Sequence, residues 1–411
     1  MARTVKTQTD TRQCINRLDD DGRAPKIGQQ PQTSKTGRSD GAAILKRLSN
    51  HFWLLAILVT GALVAIWTNV AIFGHPFAFG SDALAYLHAA ERLTQTGSPY
   101  APGQLNSQSL VFINDAYLYP PTLAWLLVPF VALAGSGTPA LLTWSAASLV
   151  AFAASLCLGL GAAKGSLRSA RSLAIVIAVG LWTASSIGWP QGNVSVFLGL
   201  LVACALFCGP GARAGAALMA AAIIKVTPIM ALPAAMAAGG RRALAGAIVS
   251  GLVLIGIPFL LNPASWFDGA RVVLNLNAGS AAFPLNLAPA AWLAWHLPGL
   301  ATFAPIVRLL SLLAAAACMV GSVLVARDRT RDSWPAALAL GVAAWLLLGP
   351  QLWFHYLVVL APFEVYAIMW GDVWSRRAAW TAVFLTPLAL LGPPAWVIIA
   401  LVVFALIRSR E

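Results

Sequence analysis

The sequence predicts an all-α polytopic membrane protein, a bundle of about twelve transmembrane helices whose long first extracytoplasmic loop carries short interfacial helices. Three observations predict this fold class. Hydrophobic residues make up 59% of the 411 residues, and charged residues only 10%. Apolar runs long enough to cross a bilayer recur along the chain. These runs lack strand-type alternation, which favours helices over a barrel.

The N-terminal residues differ in composition from the rest of the chain. They are rich in Thr, Gln, Asp, Lys and Gly, a composition typical of disorder. Residues 1–47 hold ten Lys or Arg and five Asp. No cleavage-type sequence follows the first apolar run, so we expect an uncleaved span. The predicted domains are therefore a disordered cytoplasmic tail, 1–48, and an integral membrane domain, 49–411.

Twelve apolar runs follow the tail, and an even number of spans puts both termini on one side. The runs cover residues 52–73, 121–135, 139–162, 172–188, 194–209, 215–238, 243–261, 302–326, 334–349, 353–370, 378–392 and 394–408. Basic clusters then face the cytoplasm at 46–47, 241–242, 327–331, 376–377 and 408–410, as the positive-inside rule requires. The net charge of +13 thus reflects orientation in the inner (plasma) membrane, and the expected partner is the lipid bilayer, with no nucleic acid.

One basic segment conflicts with this topology. Lys164, Arg168 and Arg171 would lie outside the cytoplasm. In an alternative, 121–135 is a re-entrant or shallow helix and 215–238 is split at residues 225–228 into a hairpin, which removes the conflict. Both topologies keep the termini cytoplasmic, and both remain open from the sequence.

Three segments collect opposite the cytoplasm and are expected to share an outward cavity: 74–120, 262–301 and 349–356. In the first, Ser81 is expected to cap a helix over 82–95 that ends near Gly97. Asp82 would lie in its first turn, with Tyr86 on the same face one turn later. Ionisable groups at membrane depth are usually functional, although an acid favoured by the helix dipole is an equal alternative. The dipole is expected to keep this carboxylate ionised, as a catalytic base requires.

Other polar positions interrupt the apolar spans. Lys225 must reach an interface or find an anion, because an unpaired ammonium is costly in a membrane. His355 lies among aromatic residues, so an interfacial aromatic belt is its alternative interpretation. Arg271 follows Asp268 at helical spacing, and an exposed local pair is the alternative there. The segment 189–193 breaks two short spans, as segments that line cavities do.

The order of these motifs resembles glycosyltransferase family 87 over roughly residues 50–400. The motifs are a lone Asp beyond the first span, Gly-Ser-Pro-Tyr (97–100), Tyr-Pro-Pro (119–121), Gln-Gly-Asn (191–193), Ile-Lys-Val-Thr-Pro (224–228) and His-Tyr (355–356). The resemblance implies a GT-C fold and a relationship to polyprenyl-phosphate-mannose-dependent mannosyltransferases and related arabinofuranosyltransferases.

The resemblance also implies roles for individual residues. Asp82 corresponds to the catalytic base of the first extracytoplasmic loop, and Pro121 belongs to a motif that shapes the substrate cavity. Trp-Pro-Gln-Gly-Asn stands where the family usually has Gly-Gln-x-Asn, so the role of Gln191 stays open. The expected substrate-binding residues are Tyr86, Tyr119, Pro120, Gln191, Asn193, Lys225, Arg271, His355 and Tyr356.

The expected activity is transfer of a hexose or pentose from a polyprenyl-phosphate sugar donor to a hydroxyl of a lipid or glycan acceptor, with inversion. Lys225, Arg271 or His355 would stabilise the departing phosphate. His75 and His88 lack a third ligand at a convincing spacing, so no metal is expected, and no cofactor is needed. A transporter or lipid flippase is the alternative, although no convincing internal repeat accompanies it.

Overall fold

The computed structural model describes residues 55–67, 80–106, 116–184, 192–278, 286–328 and 332–410. Every regular element in these ranges is helical, which confirms the all-α prediction for them. The α-helices are α1 (Leu55–Trp67), α2 (Ser81–Thr96), α3 (Pro102–Asn106), α4 (Pro121–Ala134), α5 (Thr138–Ala162), α6 (Ala170–Thr183), α7 (Ser195–Cys208), α8 (Ala212–Ile224), α9 (Leu232–Gly251), α10 (Ile257–Leu261), α11 (Pro263–Ala278), α12 (Pro289–His296), α13 (Ala304–Ala326), α14 (Ser333–Leu348), α15 (Ala361–Trp370), α16 (Val373–Leu385) and α17 (Pro393–Arg408). Short 3₁₀ segments cover Thr227–Ala231, Pro298–Phe303, Phe354–Leu360 and Thr386–Leu391, and Leu252–Gly256 is a π-helix.

Three helical stretches are long and apolar enough to cross a membrane: Thr138–Ala162, Thr227–Leu261, which is broken at Gly240, and Pro298–Ala326. Most of the other apolar helices are shorter, so a count of twelve spans is not confirmed. Large apolar side chains lie exposed on the outside of the bundle, for example Leu252 and Leu260. Such a surface suits the hydrocarbon of a bilayer and would be unstable in water.

Helix α4 does not carry the chain to the far end of the bundle. Just before it, the Tyr119 hydroxyl accepts a hydrogen bond from Tyr86 of α2. Just after it, the Ser136 hydroxyl donates to Glu91, also on α2. Because both ends of α4 lie beside α2, this helix runs along α2, as in the shallow-helix alternative.

Lys225 lies at the tip of a helical hairpin. Helix α8 ends at Ile224, and after the turn the chain returns through α9 to a break at Gly240, where φ is 55°. The two arms pack closely at the other end, since a Cβ on Gly239 would meet the Gly211 backbone nitrogen at 2.9 Å. The alternative that split residues 215–238 at this point therefore describes the structure, and no single span covers them.

Basic residues are concentrated at one end of the bundle. The end opposite Lys225 carries the tips of α5, α7, α13, α15 and α17. Its basic residues include Lys164, Arg168, Arg171, Arg213, Arg241, Arg242, Arg327, Arg376, Arg377, Arg408 and Arg410. Local acids partly balance them, as Arg408 pairs with Asp372 at 3.6 Å and Arg410 pairs with Asp328.

Helix α2 begins and ends at glycines in the left-handed conformation. Its N-cap is Gly80, with φ 72°, so the prediction of Ser81 as the cap was wrong by one residue. A positive φ at this position favours glycine, which has no Cβ to clash with the backbone. The predicted end at Gly97, with φ 79°, is confirmed, and Asp82 lies in the first turn as expected.

Candidate active site

Seven of the ten site residues predicted from the sequence meet in one cavity of about 230 Å³. It opens between the start of α2, the turn before α7, the tip of the α8–α9 hairpin and the segment before α15. Its polar and aromatic lining consists of Asp82, Tyr86, Tyr119, Asn193, Lys225, Gln351, Trp353, His355 and Tyr356. These residues are separated by up to 274 positions in sequence, so tertiary packing assembles the site.

Asp82 is held by an oriented amide. The Asn193 Nδ2 atom donates to Asp82 Oδ2 at 2.6 Å. Ser195 fixes that amide, because its backbone nitrogen and its hydroxyl both donate to Asn193 Oδ1, at 2.8 and 2.5 Å. Burial raises the pKa of Asp82, and the Asn193 hydrogen bond and the charge of Lys225 lower it by less. The carboxylate is therefore a stronger proton acceptor than the dipole argument suggested.

Two tyrosines form the wall next to this carboxylate. The Tyr86 hydroxyl donates to that of Tyr119 at 3.1 Å, and the rings meet edge to face with centroids 5.1 Å apart. Burial raises the pKa of both phenols, so they remain neutral hydrogen-bonding groups at physiological pH. The Tyr86 hydroxyl also accepts a hydrogen bond from Asn193 Nδ2 at 3.4 Å, so the same amide contacts both Tyr86 and Asp82.

The Lys225 ammonium faces the cavity from the opposite side. It lies 3.2 Å from the Tyr356 ring centroid and 5.6 Å from that of Tyr119. The Nζ atom is buried and has no hydrogen-bond partner among the described residues. Among the residues that the structure describes, aromatic faces and Asp82 balance its charge, and its N–H donors are left available to a bound anion.

His355 is a second polar group whose hydrogen-bonding capacity is unused. The side chain is 5% exposed, and neither ring nitrogen has a hydrogen-bond partner in the described part of the chain. Its ring stacks on Trp353, with centroids 6.2 Å apart, and meets the Tyr356 ring edge to face at 4.8 Å. Buried polar groups without partners are rare, so a role in binding a polar ligand is a physical explanation for both Lys225 and His355.

Hydrogen bonds between distant segments hold the walls in place. The Tyr100 hydroxyl donates to the Tyr119 carbonyl oxygen at 2.8 Å, and that of Tyr117 donates to the Pro120 carbonyl oxygen at 2.7 Å. Thr122 donates to the Leu254 carbonyl oxygen in the π-helical segment at 2.9 Å. The loop that presents Tyr119 is thus fixed on several sides before any substrate binds.

Not every predicted residue reaches the cavity. Pro120 supplies the N-cap of α4 and accepts from Tyr117, but it does not line the cavity. Arg271 is exposed on α11 and also lies outside the lining. Its neighbour Asp268 accepts a hydrogen bond from Ser98 at 2.8 Å. Gln191 lies outside the described residues.

Sequence reasoning expected the segment 349–356 at the cavity but did not name two of its polar and aromatic lining residues, and it missed one cation inside a predicted span. Gln351 and Trp353 line the cavity, and their place between a helix end and His355 was the available signal. The prediction that Lys225 is the only Lys or Arg inside a predicted span was wrong, because Arg308 lies in the predicted span 302–326. The Arg308 guanidinium donates to the carbonyl oxygens of Leu348 and Gly349, at 2.7 and 2.9 Å, and so satisfies the end of α14.

The helical bundle and its enclosed polar cavity define a membrane protein with a candidate site for group transfer, in which a proton acceptor faces a cation. The chain matches the model of glycosyltransferase family 87 over residues 117–350. This match covers more than half of the sequence, so the chain belongs to glycosyltransferase family 87 and is a membrane glycosyltransferase. Comparison with curated proteins and with solved structures finds no match.

Proposed function

We propose that the protein transfers a mannose-like hexose, or a pentose, from a polyprenyl-phosphate sugar to a hydroxyl of a lipid or cell-envelope glycan. One observation carries this proposal: the Asp82 carboxylate faces the same cavity as the Lys225 ammonium, which has no hydrogen-bond partner among the described residues. Transfer of a sugar from a lipid phosphate requires a proton acceptor for the incoming hydroxyl and a cation for the leaving phosphate.

In this mechanism Asp82 takes the proton of the acceptor hydroxyl while that oxygen attacks the anomeric carbon. The bond between the anomeric carbon and the phosphate oxygen breaks, and its electron pair leaves with polyprenyl phosphate. A single displacement inverts the configuration at the anomeric carbon. Lys225 stabilises the negative charge on the leaving phosphate, and His355 offers a further hydrogen bond beside it.

The neighbours of Asp82 suit the role of a base. Asn193 donates to one carboxylate oxygen, Oδ2, and leaves Oδ1 for the acceptor hydroxyl. Ser195 fixes the amide so that its NH₂ group, and not its oxygen, faces the carboxylate. The raised pKa makes Asp82 a better proton acceptor than an exposed aspartate while it is ionised.

The charge distribution supports an orientation for the proposed enzyme. Eleven basic residues lie at the end opposite the cavity, including Lys164, Arg213 and Arg408. Under the positive-inside rule that end faces the cytoplasm, and the cavity opens on the extracytoplasmic side of the inner membrane. Both termini are then cytoplasmic. A lipid-linked donor suits this side, where nucleotide sugars are not supplied.

The test is sugar transfer by the purified protein in lipid nanodiscs, with a panel of radiolabelled polyprenyl-phosphate sugars and, in parallel, nucleotide sugars. Asp82→Asn should abolish transfer, because the nearly isosteric amide cannot accept the proton. Glu91→Gln is the matched control, since Glu91 is on the same helix, outside the cavity, and accepts from Ser136. Near-normal turnover by Asp82→Asn, or transfer only from nucleotide sugars, would refute the proposal.

A further inference from the structure

Another cavity, of about 400 Å³, lies at the end of the bundle opposite the candidate active site. It is formed where α5, α7 and α15 end and α14 begins. Its charged and aromatic lining consists of Lys164, Phe207, Asp332, Trp334, Tyr366 and Trp370. The mechanism proposed above uses none of these side chains, so the cavity needs an explanation of its own.

This cavity lies at the depth expected for lipid headgroups. Tryptophan and tyrosine concentrate where a bilayer meets water, and Trp334, Tyr366 and Trp370 lie at the basic end of the bundle. Phe207 and Cys208, which also line the cavity, are exposed. The cavity is therefore open to the surroundings of the bundle, and a lipid of the adjacent leaflet can reach it.

The backbone is strained where Lys164 enters the cavity. Helix α5 ends in a Schellman turn, in which the Gly165 nitrogen donates to the Leu160 carbonyl oxygen and the Lys164 nitrogen to that of Gly161, both at 2.9 Å. Lys164 has a φ of 55°, a left-handed conformation that glycine adopts without strain and usually provides at this position. The side chain explains the lysine, because its ammonium lies over the Trp370 ring, 5.0 Å from the centroid, at the cavity.

The cavity carries one charge of each sign. Lys164 supplies an ammonium and Asp332 a carboxylate, and in the described part of the chain no ion pair joins them. Asp332 directly precedes α14, but its side chain makes no capping hydrogen bond there. Separated charges of opposite sign beside aromatic rings are complementary to a zwitterion, whose phosphate pairs with the ammonium and whose own ammonium pairs with the carboxylate and the ring faces.

We propose that this cavity binds the phosphoethanolamine headgroup of a membrane phospholipid. The lipid phosphate contacts Lys164, its ammonium donates to Asp332, and its acyl chains stay in the bilayer beside Phe207. The Asp332 carboxylate disfavours ligands that are only anionic, such as phosphatidylglycerol or polyprenyl phosphate. The inference goes beyond the proposed sugar transfer and does not depend on it, since no residue of the active-site cavity takes part.

The first experiment measures lipid binding by the delipidated protein in detergent. Phosphatidylethanolamine, phosphatidylcholine and phosphatidylglycerol with the same acyl chains are titrated, and dissociation constants are taken from the rise in unfolding temperature. Phosphatidylethanolamine should bind most tightly, because the ammonium of phosphatidylcholine has no N–H to donate and phosphatidylglycerol has no ammonium. Lys164→Gly and Asp332→Asn should each weaken its binding by about tenfold, the low end for a charge-assisted hydrogen bond, since both side chains are exposed. Asp332→Asn should bind phosphatidylglycerol more tightly than the unmodified protein does.

Two variants separate lipid binding from folding and from general surface charge. Glycine at position 164 removes the left-handed strain, which offsets the loss of an exposed cation–π contact, so Lys164→Gly without lipid should be at least as stable as the unmodified protein. Arg171→Gln is the matched control, because Arg171 is exposed at the same end but does not line the cavity. Its affinity for phosphatidylethanolamine should stay within about twofold.

A second readout locates the bound lipid. Cys208 is exposed and lines the cavity. In a chain that keeps this cysteine alone, phosphatidylethanolamine should slow the reaction of the thiol with a maleimide, because the bound lipid covers it. The same lipid should leave the rate unchanged when Lys164→Gly and Asp332→Asn are combined.

Several results would overturn the assignment. Phosphatidylglycerol that binds as tightly as phosphatidylethanolamine, or an equal loss of affinity in Arg171→Gln and Lys164→Gly, would mean attraction to a basic surface and no headgroup site. Soluble phosphoethanolamine that stabilises the protein as strongly as the lipid would exclude the membrane as the source of the ligand. A lower unfolding temperature of Lys164→Gly with unchanged lipid affinity would make Lys164 structural. None of these results bears on sugar transfer, which is measured separately.

Discussion

Replacing Lys225 by Met removes the charge and keeps a side chain of similar length. The change loses a desolvated cation–π contact with Tyr356, 3.2 Å from the ring centroid, worth about 2 kcal/mol. It also removes the desolvation penalty of a buried ammonium without a hydrogen-bond partner in the described chain, which is several kcal/mol. The desolvation penalty removed is at least as large as the cation–π energy lost, so the unliganded variant should be no less stable than the unmodified protein.

The affinity of Lys225→Met for the donor phosphate should fall, although its stability does not. Losing a charge-assisted hydrogen bond costs roughly 1.5 to 3 kcal/mol, so affinity should fall roughly 10- to 150-fold. Affinity can be measured from the ligand-induced rise in thermal stability with polyprenyl phosphate, because this ligand carries no sugar and is not turned over. At a hundred times its dissociation constant it should stabilise the unmodified protein by about 2.7 kcal/mol and Lys225→Met by far less.

The matched control is Lys164→Met at the opposite end of the bundle, where the ammonium also lies over an aromatic ring, that of Trp370, at 5.0 Å. This variant should keep full stabilisation by polyprenyl phosphate. The reasoning is refuted if Lys225→Met unfolds at a lower temperature without ligand and binds polyprenyl phosphate as tightly as the unmodified protein. Lys225 would then be structural, and the phosphate site would have to be sought at His355.

Two further predictions concern the base and the orientation. Transfer should lose activity as the pH falls through the raised pKa of Asp82, above the value of about 3.9 for an exposed aspartate. Asn193→Ala should move that loss to higher pH, because the amide lowers the pKa, and an unmoved acid limb would exclude Asp82 as the titrating base. In a cysteine-free chain, an impermeant thiol reagent should label Thr96→Cys in intact cells and leave Ser166→Cys unlabelled, both positions being exposed at opposite ends. The reverse pattern would contradict the proposed orientation.

The sequence was most informative about the site where a charged residue interrupts an apolar run, because burying a charge costs free energy. Asp82 and Lys225 were predicted because charge is rare in apolar runs, and the structure places both in one cavity. Gln351 and Trp353 gave no such signal, since neither is unusual beside a helix end. Arg271 seemed equally suitable by charge, but only the packing of α11 shows that it is exposed.

Topology depended on contacts that no local pattern encodes. The run 121–135 has the composition of a span, yet hydrogen bonds at both its ends attach it to α2.

The family match does not include every residue of the candidate site. It covers residues 117–350, whereas Asp82 precedes that region and His355 follows it. The candidate site therefore needs parts of the chain that the matched region leaves out.

Contacts far from the cavity, at the base of the α8–α9 hairpin, determine how far along the bundle Lys225 lies. Gly215 and Gly246 allow backbone contact near the opposite end, where added Cβ atoms would meet carbonyl oxygens at 2.0 and 1.9 Å. In a hairpin anchored in this way, a shift of the base along the helix axis moves the tip by a similar distance. Sequence changes near the basic end of the molecule can therefore move the Lys225 ammonium without altering any residue of the cavity.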